Sequence, residues 1–189
     1  MILGNRVRRR VTGVTLVELI VVMAIAAILS AIAAPSLTGI VKDNRLRLGA
    51  NSLQGAFALS RSSAVARSAT VTICKSADGE SCSASGDWAQ GWIVYEGDSS
   101  VSPIDGGDDN RIRVQQVLHP SLTFTGSTGV EDYVSFNASG FVRDVDGNLQ
   151  SGSFLICDDR GDAGRARIVF LGAAGSSRVG DPVNGLSCP

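Results

Sequence analysis

The sequence predicts an α+β protein in which a long N-terminal α-helix packs against a β-rich C-terminal head of antiparallel sheets. Three observations support this fold class. Residues 14–68 have helical periodicity, first in an apolar run and then in an amphipathic one. Residues 69–189 consist of short β-rich runs separated by Gly, Asp, Ser and Asn. The length of 189 residues suits one such head with an appendage rather than two independent cores.

The first half of the predicted helix is apolar enough to be a membrane span. From Leu19 to Ala34, sixteen consecutive residues carry no charge, and the twenty-one residues from Val14 are interrupted only by Glu18. At about 1.5 Å per residue, such a helix reaches roughly the thickness of the hydrocarbon core of a bilayer. We therefore expect residues 14–34 to be transmembrane. Arginines precede the segment, so the positive-inside rule predicts a cytoplasmic N-terminus and places the residues after Pro35 outside.

A conventional secretory signal is the alternative interpretation of this segment, and it would make the protein a secreted soluble β-domain. An arginine-rich start and an apolar stretch are typical of both, and Ala31-Ile32-Ala33 would serve as the cleavage site. Glu18 favours a retained helix instead. A carboxylate costs roughly 2.5–3.5 kcal/mol at the centre of a membrane helix and less near its end. A disposable signal has no need of that charge, whereas a retained helix can use it if the charge finds a partner.

The second half of the helix is predicted to be amphipathic. Its apolar residues recur three, four or seven positions apart, and arginines take other faces. The apolar stripe consists of Leu46, Ala50, Leu53, Phe57 and Ala64. We expect this stripe to pack on the head. Because Pro35 lacks a backbone donor and several glycines weaken the helix, a bend is expected rather than a straight rod.

The head is predicted to contain six strands joined by polar turns. They are Thr70–Lys75, Gly91–Tyr95, Arg111–Leu118, Tyr133–Phe136, Ser153–Cys157 and Arg167–Leu171. This spacing is typical of antiparallel sheets. The Asp- and Gly-rich stretches 105–110 and 144–148 are predicted to be turns.

The charge balance argues against a broadly basic nucleic-acid binder. The chain has 17 Lys and Arg and 18 Asp and Glu residues, which gives a formal net charge of −1. Four arginines precede Gly13, so a chain that begins at Val14 has 13 basic and 18 acidic residues and is mildly acidic.

The four cysteines indicate disulfides. Cys74, Cys82, Cys157 and Cys188 all follow the apolar segment, where an exported domain meets an oxidising compartment. A zinc site would need closely paired cysteines or histidines at ligand spacing, and His119 is the sole histidine of the sequence. Four cysteines allow three connectivities, among which proximity along the chain favours Cys74–Cys82 with Cys157–Cys188.

The N-terminal motif resembles that of the type IV pilin and type II secretion pseudopilin superfamily. Its pattern is Gly followed by Phe-Thr-Leu-Ile-Glu and an apolar run. The chain has Gly13-Val14-Thr15-Leu16-Val17-Glu18 followed by Leu19-Ile20-Val21-Val22, with Val14 in place of the usual Phe. Pro35 falls where this family commonly has a helix-bending proline. The resemblance implies a pilin-like fold.

Features of the head are similar to the GspH/FimT branch, which includes the minor pseudopilin H and the minor pilins FimT and FimU. They are Trp88–Tyr95 with the later Arg111-Ile112-Arg113, Leu59–Arg67 at the end of the helix, and Gly152–Cys157 near the C-terminus. The resemblance covers nearly the whole chain. It divides the chain into a basic leader (1–13), the long helix (14–68) and the head (69–189).

The resemblance implies a mechanism of processing and assembly. A prepilin peptidase would cleave after Gly13 and methylate the new amino group of Val14. Only the leader is removed, so the apolar helix stays in the mature protein. In the lipid phase, Glu18 would pair with the N-terminal ammonium of a neighbouring subunit and act as a register device for assembly. Pairing lowers the cost of burying each charge.

The predicted function is that of a structural subunit in the tip or priming complex of a type IV pilus or a type II secretion pseudopilus. The expected partners are prepilin peptidase, other minor and major pilins or pseudopilins, and the inner membrane. The expected location is the inner membrane, with one span, a cytoplasmic N-terminus and a periplasmic head, and then the pilus or pseudopilus. No cofactor, metal or enzymatic activity is expected, since the sequence has no nucleophile motif and no phosphate-binding glycine-rich loop.

DNA uptake is the alternative function, because some FimT proteins bind DNA through a Gly-Arg-x-Arg loop. The string is present at Gly164–Arg167, but it immediately precedes a predicted strand. The later loop that should align with the motif, Gly175–Arg178, lacks the first arginine. The candidate DNA contacts are therefore Arg165, Arg167 and Arg178. Two or three arginines on an acidic domain would give a weak, salt-sensitive contact with phosphates.

Two further features are predicted to be structural. The aromatic residues of Trp88–Tyr95 lie beside β-branched residues and are expected in the sheet core rather than on a recognition surface. Asp144, Asp146 and Asn148 alternate as at the start of a calcium loop. The glycine follows too early and no glutamate closes the loop, so a hairpin turn is the better interpretation.

Overall fold

The computed structural model describes residues 13–97, 110–182 and 186–188 of the chain. Within these residues the chain forms one α-helix and nine β-strands. They are α1 (Leu16–Arg67), β1 (Val71–Lys75), β2 (Trp92–Glu96), β3 (Arg111–Gln115), β4 (Leu122–Gly126), β5 (Tyr133–Phe136), β6 (Val142–Arg143), β7 (Gly152–Asp158), β8 (Arg167–Leu171) and β9 (Ser177–Gly180). The α+β class that the sequence predicts is thus confirmed.

Helix α1 lies within the predicted helical range of 14–68 and includes Pro35. The bend expected at that proline stays a prediction. In the part of the chain that the structure describes, no helix combines the length and the hydropathy needed to cross a membrane. The transmembrane span over residues 14–34 therefore also stays a prediction.

The chain divides into two compact units, Met1–Val41 and Lys42–Pro189. The second unit contains the latter part of α1 together with both sheets. Contacts within the molecule thus assign helix residues from Lys42 onward to the same unit as the strands, whereas the sequence divides the chain between residues 68 and 69. The amphipathic stripe explains the difference, because its side chains belong to the core of the head.

The first sheet has five antiparallel strands in the order β3-β2-β1-β5-β6. Every residue of the central strand β1 is buried. Thr72 of β1 lies opposite Ser135 of β5, and the two hydroxyl oxygens are 2.7 Å apart. This hydrogen bond satisfies two polar groups that burial would otherwise leave without water.

The second sheet has four antiparallel strands in the order β4-β7-β8-β9. Alternate residues of its central strands β7 and β8, such as Phe154, Ile156 and Val169, point into the core and are fully buried. The sheet ends on one side at β4 and on the other at β9, so one edge of each of these strands has no partner strand within the sheet.

The core of the head lies between the helix and the two sheets. All five residues of the predicted stripe are buried, which confirms the amphipathic interpretation. The ring centroids of Phe57 and Phe154 are 5.1 Å apart, and Trp88 contacts Phe154 edge-on at 5.3 Å. The helix approaches the second sheet closely at Gly49, where a Cβ atom would lie 2.7 Å from the ring of Phe124.

All six predicted strands are present, with ends that differ by up to three residues. Strands β4, β6 and β9 are not among the predicted strands. Strand β4 has an alternating Leu-Thr-Phe-Thr pattern that period-two analysis can detect. Strands β6 and β9 have two and four residues, and β9 contains glycine and arginine, so neither gives a local strand signal. Their pairing with longer strands decides their conformation.

Candidate assembly sites

The processing motif includes the N-terminal cap of helix α1. Thr15 precedes the first helical residue, and its Oγ1 accepts a hydrogen bond from the backbone N–H of Glu18 at 3.2 Å. Its carbonyl accepts from Leu19 N–H at 3.1 Å. The spacing Thr15-x-x-Glu18 is the capping-box pattern, a local sequence signal for the start of a helix. Glu18 therefore lies in the first helical turn, where its negative charge also interacts favourably with the positive end of the helix dipole.

The beginning of α1 exposes a long series of large apolar side chains. Leu16 is 73% exposed and Leu29 is 62% exposed, and the large apolar residues between them are at least half exposed. Glu18 is exposed on the same stretch. An apolar surface of this extent is typical of a segment that lipid or other proteins cover. The single chain does not supply that cover within the described residues.

Two disulfides link residues of the head, and they are the pairings that proximity along the chain favours. Cys74 of β1 is bonded to Cys82, and Cys157 of β7 is bonded to Cys188. Cys74 packs with Ile93 and Tyr95 in a small second cluster of buried side chains. The first disulfide thus attaches a loop to the first sheet, and the second attaches the C-terminal segment to the second sheet.

The loop closed by the first disulfide is ordered by polar side chains. Asp78 accepts hydrogen bonds from the backbone N–H groups of Ser81 and Glu80, and these bonds hold the pKa of its carboxyl well below the usual value. At the base of the loop, the buried Lys75 Nζ lies 2.7 Å from Asp132 and donates to the carbonyl of Gly86 at 3.0 Å. The contacts of Lys75 connect β1 to the segment that follows the disulfide loop and to the segment before β5.

An ionic cluster connects helix α1 to the loop between β7 and β8. Arg160 contacts Asp43 of the helix and the buried Asp158, each at 2.6 Å, and Lys42 contacts Asp159 at 2.9 Å. The hydrogen bond from Arg160 lowers the pKa of Asp43, and the hydrogen bond from Lys42 lowers that of Asp159. The hydrogen bond to Asp158 in turn raises the pKa of Arg160 further above its ordinary value. Sequence analysis missed this cluster because Arg160 and Asp43 are 117 residues apart.

Each candidate DNA-binding arginine has a partner within the chain. Arg165 forms ion pairs with Asp43 at 3.2 Å and with Asp162 at 3.3 Å. Arg167 contacts Asp181 at 2.7 Å. The guanidinium of Arg178 lies 4.4 Å from the ring centroid of Phe170. Carboxylates thus compete with any phosphate at two of the three positions.

The aromatic motif is buried, as the sequence predicts. Trp88, Trp92 and Tyr95 are at most 4% exposed, and Trp88 Nε1 donates to the carbonyl of Glu131 at 2.9 Å. Gly91 between the tryptophans has a φ of 113°, and a Cβ there would lie 2.5 Å from the carbonyl oxygen of Gln115. The glycine of this motif is therefore required for the close approach of β3.

The stretch 144–148 is a hairpin turn, as predicted. Asp144 Oδ1 accepts from the N–H groups of Asp146 and Asn148, and the side-chain amide of Asn148 donates to Oδ2. These bonds lower the pKa of Asp144, with the Asn148 side chain as the largest cause. Across the described residues, no group of three or more His, Cys, Asp or Glu side chains is arranged to hold a metal ion. The other predicted turn, 105–110, lies outside the described residues except for Asn110.

A long helix that packs its second half into a head of two antiparallel sheets, and that begins at a Gly-x-Thr-Leu-x-Glu motif, defines a pilin-like subunit. The family described as "Type II transport protein GspH" matches residues 49–175, and the "Prokaryotic N-terminal methylation motif" matches residues 8–34. The chain belongs to the GspH family. It is a minor pilin or pseudopilin of a type IV pilus or a type II secretion system.

Solved structures share this fold. Two crystal forms of the type IV minor pilin FimU of Pseudomonas aeruginosa (strain PAO1) give TM-scores of 0.54 and 0.53, at 21% and 20% identity. The alignments cover 79% and 76% of this chain and 96% and 97% of the FimU chains. The minor pseudopilin EpsH of the Vibrio cholerae Type 2 Secretion System gives a TM-score of 0.48 at 11% identity, with 72% of this chain and 97% of that chain covered. A comparison with curated protein sequences finds no significant match.

Proposed function

We propose that the chain is cleaved after Gly13, methylated at Val14, and retained in the inner membrane by residues 14–34 until it joins the tip or priming complex of a pilus or pseudopilus. The observation that carries this proposal is the match to the methylation motif over residues 8–34, which includes the cleavage position and the apolar run. It favours removal of the leader alone over a conventional signal cut near Ala33. The uncovered apolar side chains of the first helical turns give independent support.

The proposed orientation places the N-terminus in the cytoplasm and the head in the periplasm. The arginines of the leader support a cytoplasmic N-terminus. The two disulfides support a periplasmic head, because structural disulfides persist in oxidising compartments. We propose a purely structural role without catalysis, in contact with prepilin peptidase and with other pilins or pseudopilins.

Glu18 is proposed to pair with the N-terminal ammonium of a neighbouring subunit. Its exposure in the single chain leaves the carboxylate accessible to such a partner. In lipid, an unpaired carboxylate is costly, and an ion pair with good geometry reduces that cost. The pair would thus form only at one axial offset between two helices, which fixes the register of assembly.

The N-terminus of the mature protein tests the processing step. Mass spectrometry of the membrane-associated form is expected to find an N-methylated Val14. The control is Gly13→Leu, a variant that removes the small residue at the cleavage position and is expected to retain residues 1–13. A mature N-terminus at Ala34 would contradict the proposal and establish the conventional signal instead.

A further inference from the structure

An open groove of about 850 Å³ runs along one flank of helix α1, beside the turn between β8 and β9. Its helical wall includes Asn51, Gly55, Ala58, Ser62 and Val65, and its other wall consists of residues 175–177. The helical residues recur at spacings of three and four, so they share one flank of the helix. All five are exposed, and this flank is separate from the buried stripe of the core.

The groove lies beside the free edge of strand β9. Gly172 N–H donates to the carbonyl of Ser176 at 2.9 Å, and hydrogen-bonded and non-hydrogen-bonded pairs alternate from there along the hairpin. This alternation directs the main-chain groups of Ser177 and Val179 away from β8. Gln54 Nε2 donates to the carbonyl of Ser177 at 3.1 Å, a bond of the kind that a neighbouring strand would make. An extended chain that takes the place of the Gln54 side chain would therefore meet these outward-directed main-chain groups as a fifth strand.

Gly55 supports the close approach of another chain to this flank. A glycine in a helix interior makes the helix less stable than an alanine would. At Gly49 the packing of Phe124 accounts for the missing side chain, whereas a Cβ at Gly55 would meet nothing within 4 Å. The fold of the single chain thus gives no reason for glycine at position 55. Gly39 has equally open surroundings, but the open space at Gly55 lies in the groove, where a partner backbone has room to approach the helix.

Arg61 indicates the charge of the occupant. It is the sole charged residue among those that line the groove. Among the described residues no carboxylate forms an ion pair with it. A Cβ at Gly140 would lie 3.1 Å from Arg61 Nε, and a Cβ at Gly175 would lie 3.0 Å from the same atom. Two turns therefore pack against the Arg61 side chain. An occupant that brings a carboxylate to this position would complete a charge-assisted hydrogen bond.

The edge strands of this chain do not supply that carboxylate. The edges of the two described sheets are β3, β6, β4 and β9. Three of these strands contain arginine, and none contains aspartate or glutamate. Pairing β9 with the same edge of a second copy would also bring two Arg61 side chains toward each other. Charge complementarity therefore favours a subunit of different sequence over edge-to-edge pairing with a second copy.

We propose that the groove binds an extended, carboxylate-bearing segment of a different pilin-fold subunit, which adds to the free edge of β9 and pairs with Arg61. The inference rests on the proposed function, because it requires neighbouring subunits in an assembly. It adds to that function the surface by which the head recognises one neighbour.

Site-specific crosslinking tests the identity of the occupant. Photoreactive p-benzoylphenylalanine replaces Ala174, an exposed residue next to the groove wall, in the full chain, which is produced together with the other subunits of its assembly. Mass spectrometry identifies the crosslinked peptide. The expected peptide is a non-helical segment of a different pilin-fold subunit that contains Asp, Glu or a C-terminal carboxylate. A crosslink to a helical segment, to a second copy of this chain or to lipid alone would overturn the proposal.

A matched pair of glycine variants tests whether the groove itself is needed. Gly55→Leu extends a side chain into the groove from a position where a Cβ meets nothing within 4 Å, and Gly39→Leu is the control, because a Cβ there also meets nothing within 4 Å. Gly55→Leu is expected to lower the crosslink yield from Ala174 and co-purification with the identified subunit by about tenfold, whereas Gly39→Leu leaves both at the parent level. Equal co-purification of both variants with that subunit would overturn the inference and leave the proposed function standing. Failure of the parent chain to associate with any pilin subunit would instead overturn the proposed function.

Discussion

At the scale of single residues, the glycines of helix α1 make opposite contributions to the fold. Gly49 allows the helix to approach Phe124, while Gly55 faces open space. A methyl group at position 49 would lie 2.7 Å from the aromatic ring, so either the ring or the helix must move. The same methyl group at position 55 touches nothing and reduces the conformational freedom of the unfolded chain.

We therefore expect Gly55→Ala to raise the free energy of unfolding by about 0.5–1 kcal/mol and Gly49→Ala to lower it by about 1–3 kcal/mol. Denaturant unfolding of the detergent-solubilised full chain would measure both, with the fluorescence of the buried Trp88 and Trp92 as the signal of the head. Shifts of the same sign for the two variants would contradict this account of the helix.

At the scale of secondary-structure elements, the cluster around Arg160 attaches the β7–β8 loop to the helix. The pKa values of Asp43 and Asp159 are lowered in the folded chain. A carboxyl group of this kind contributes stability that is fully present above its ordinary pKa, near 3.8, and that is lost as the pH falls through the lowered folded value. The attachment is thus expected to weaken in acid and to be complete at neutral pH.

The variant Asp43→Asn tests this dependence. It is expected to have a lower free energy of unfolding than the parent at pH 7 and a smaller loss below about pH 4, so that the two curves converge in acid. Thermal unfolding between pH 2 and pH 7 measures both curves. The matched control is Asp146→Asn, since the Asp146 side chain forms no ion pair or hydrogen bond within the described part of the chain. A curve for Asp43→Asn that runs parallel to the parent curve would show that this carboxyl does not carry the effect.

The elements themselves differ in how far the sequence predicts them. Local patterns predict the helix, its buried stripe and those strands between β1 and β8 that alternate clearly. They do so because apolar periodicity indicates which face of an element is buried. Strand β9 does not, since its conformation depends on pairing with β8. The ionic cluster and the groove are also absent from local patterns, because each joins helix residues to a segment more than a hundred residues away. The processing motif, in contrast, is predictable from the sequence because all of its residues are contiguous.

At the scale of the whole molecule, the mildly acidic head bears on the alternative of DNA uptake. Arg165 and Arg167 are paired with carboxylates, so substituting them removes little positive potential that is free to meet phosphate. We expect the triple variant of Arg165, Arg167 and Arg178 to glutamine to retain DNA at low salt as weakly as the parent does. An electrophoretic mobility assay at 50 mM salt would measure this. A clear loss of retention in the variant would favour a DNA-binding head.

Assembly and membrane insertion both involve the whole molecule, and substitution of Glu18 distinguishes the two steps. Glu18→Ala is expected to leave insertion intact, because it removes a charge from an apolar segment. Incorporation into the pilus or pseudopilus is expected to fall, because the ammonium of a neighbouring subunit would then lack its partner. Membrane fractionation and the amount of the chain in sheared filaments or purified complexes measure the two steps separately. Normal incorporation of Glu18→Ala would remove the proposed pairing, and Glu18→Asp serves as the control that keeps the charge.

Because the helix stripe packs against the second sheet, the core of the head cannot form until the strands of that sheet have been made. Phe57 contacts Phe154, and Lys42 contacts Asp159 across 117 residues of chain. At roughly 5–20 residues per second, the ribosome needs on the order of ten seconds to make the segment between such partners. During that time the stripe has left the ribosome, but the strands that cover it have not yet been made. Until its last strands are made, a new chain thus exposes the apolar face of this helix.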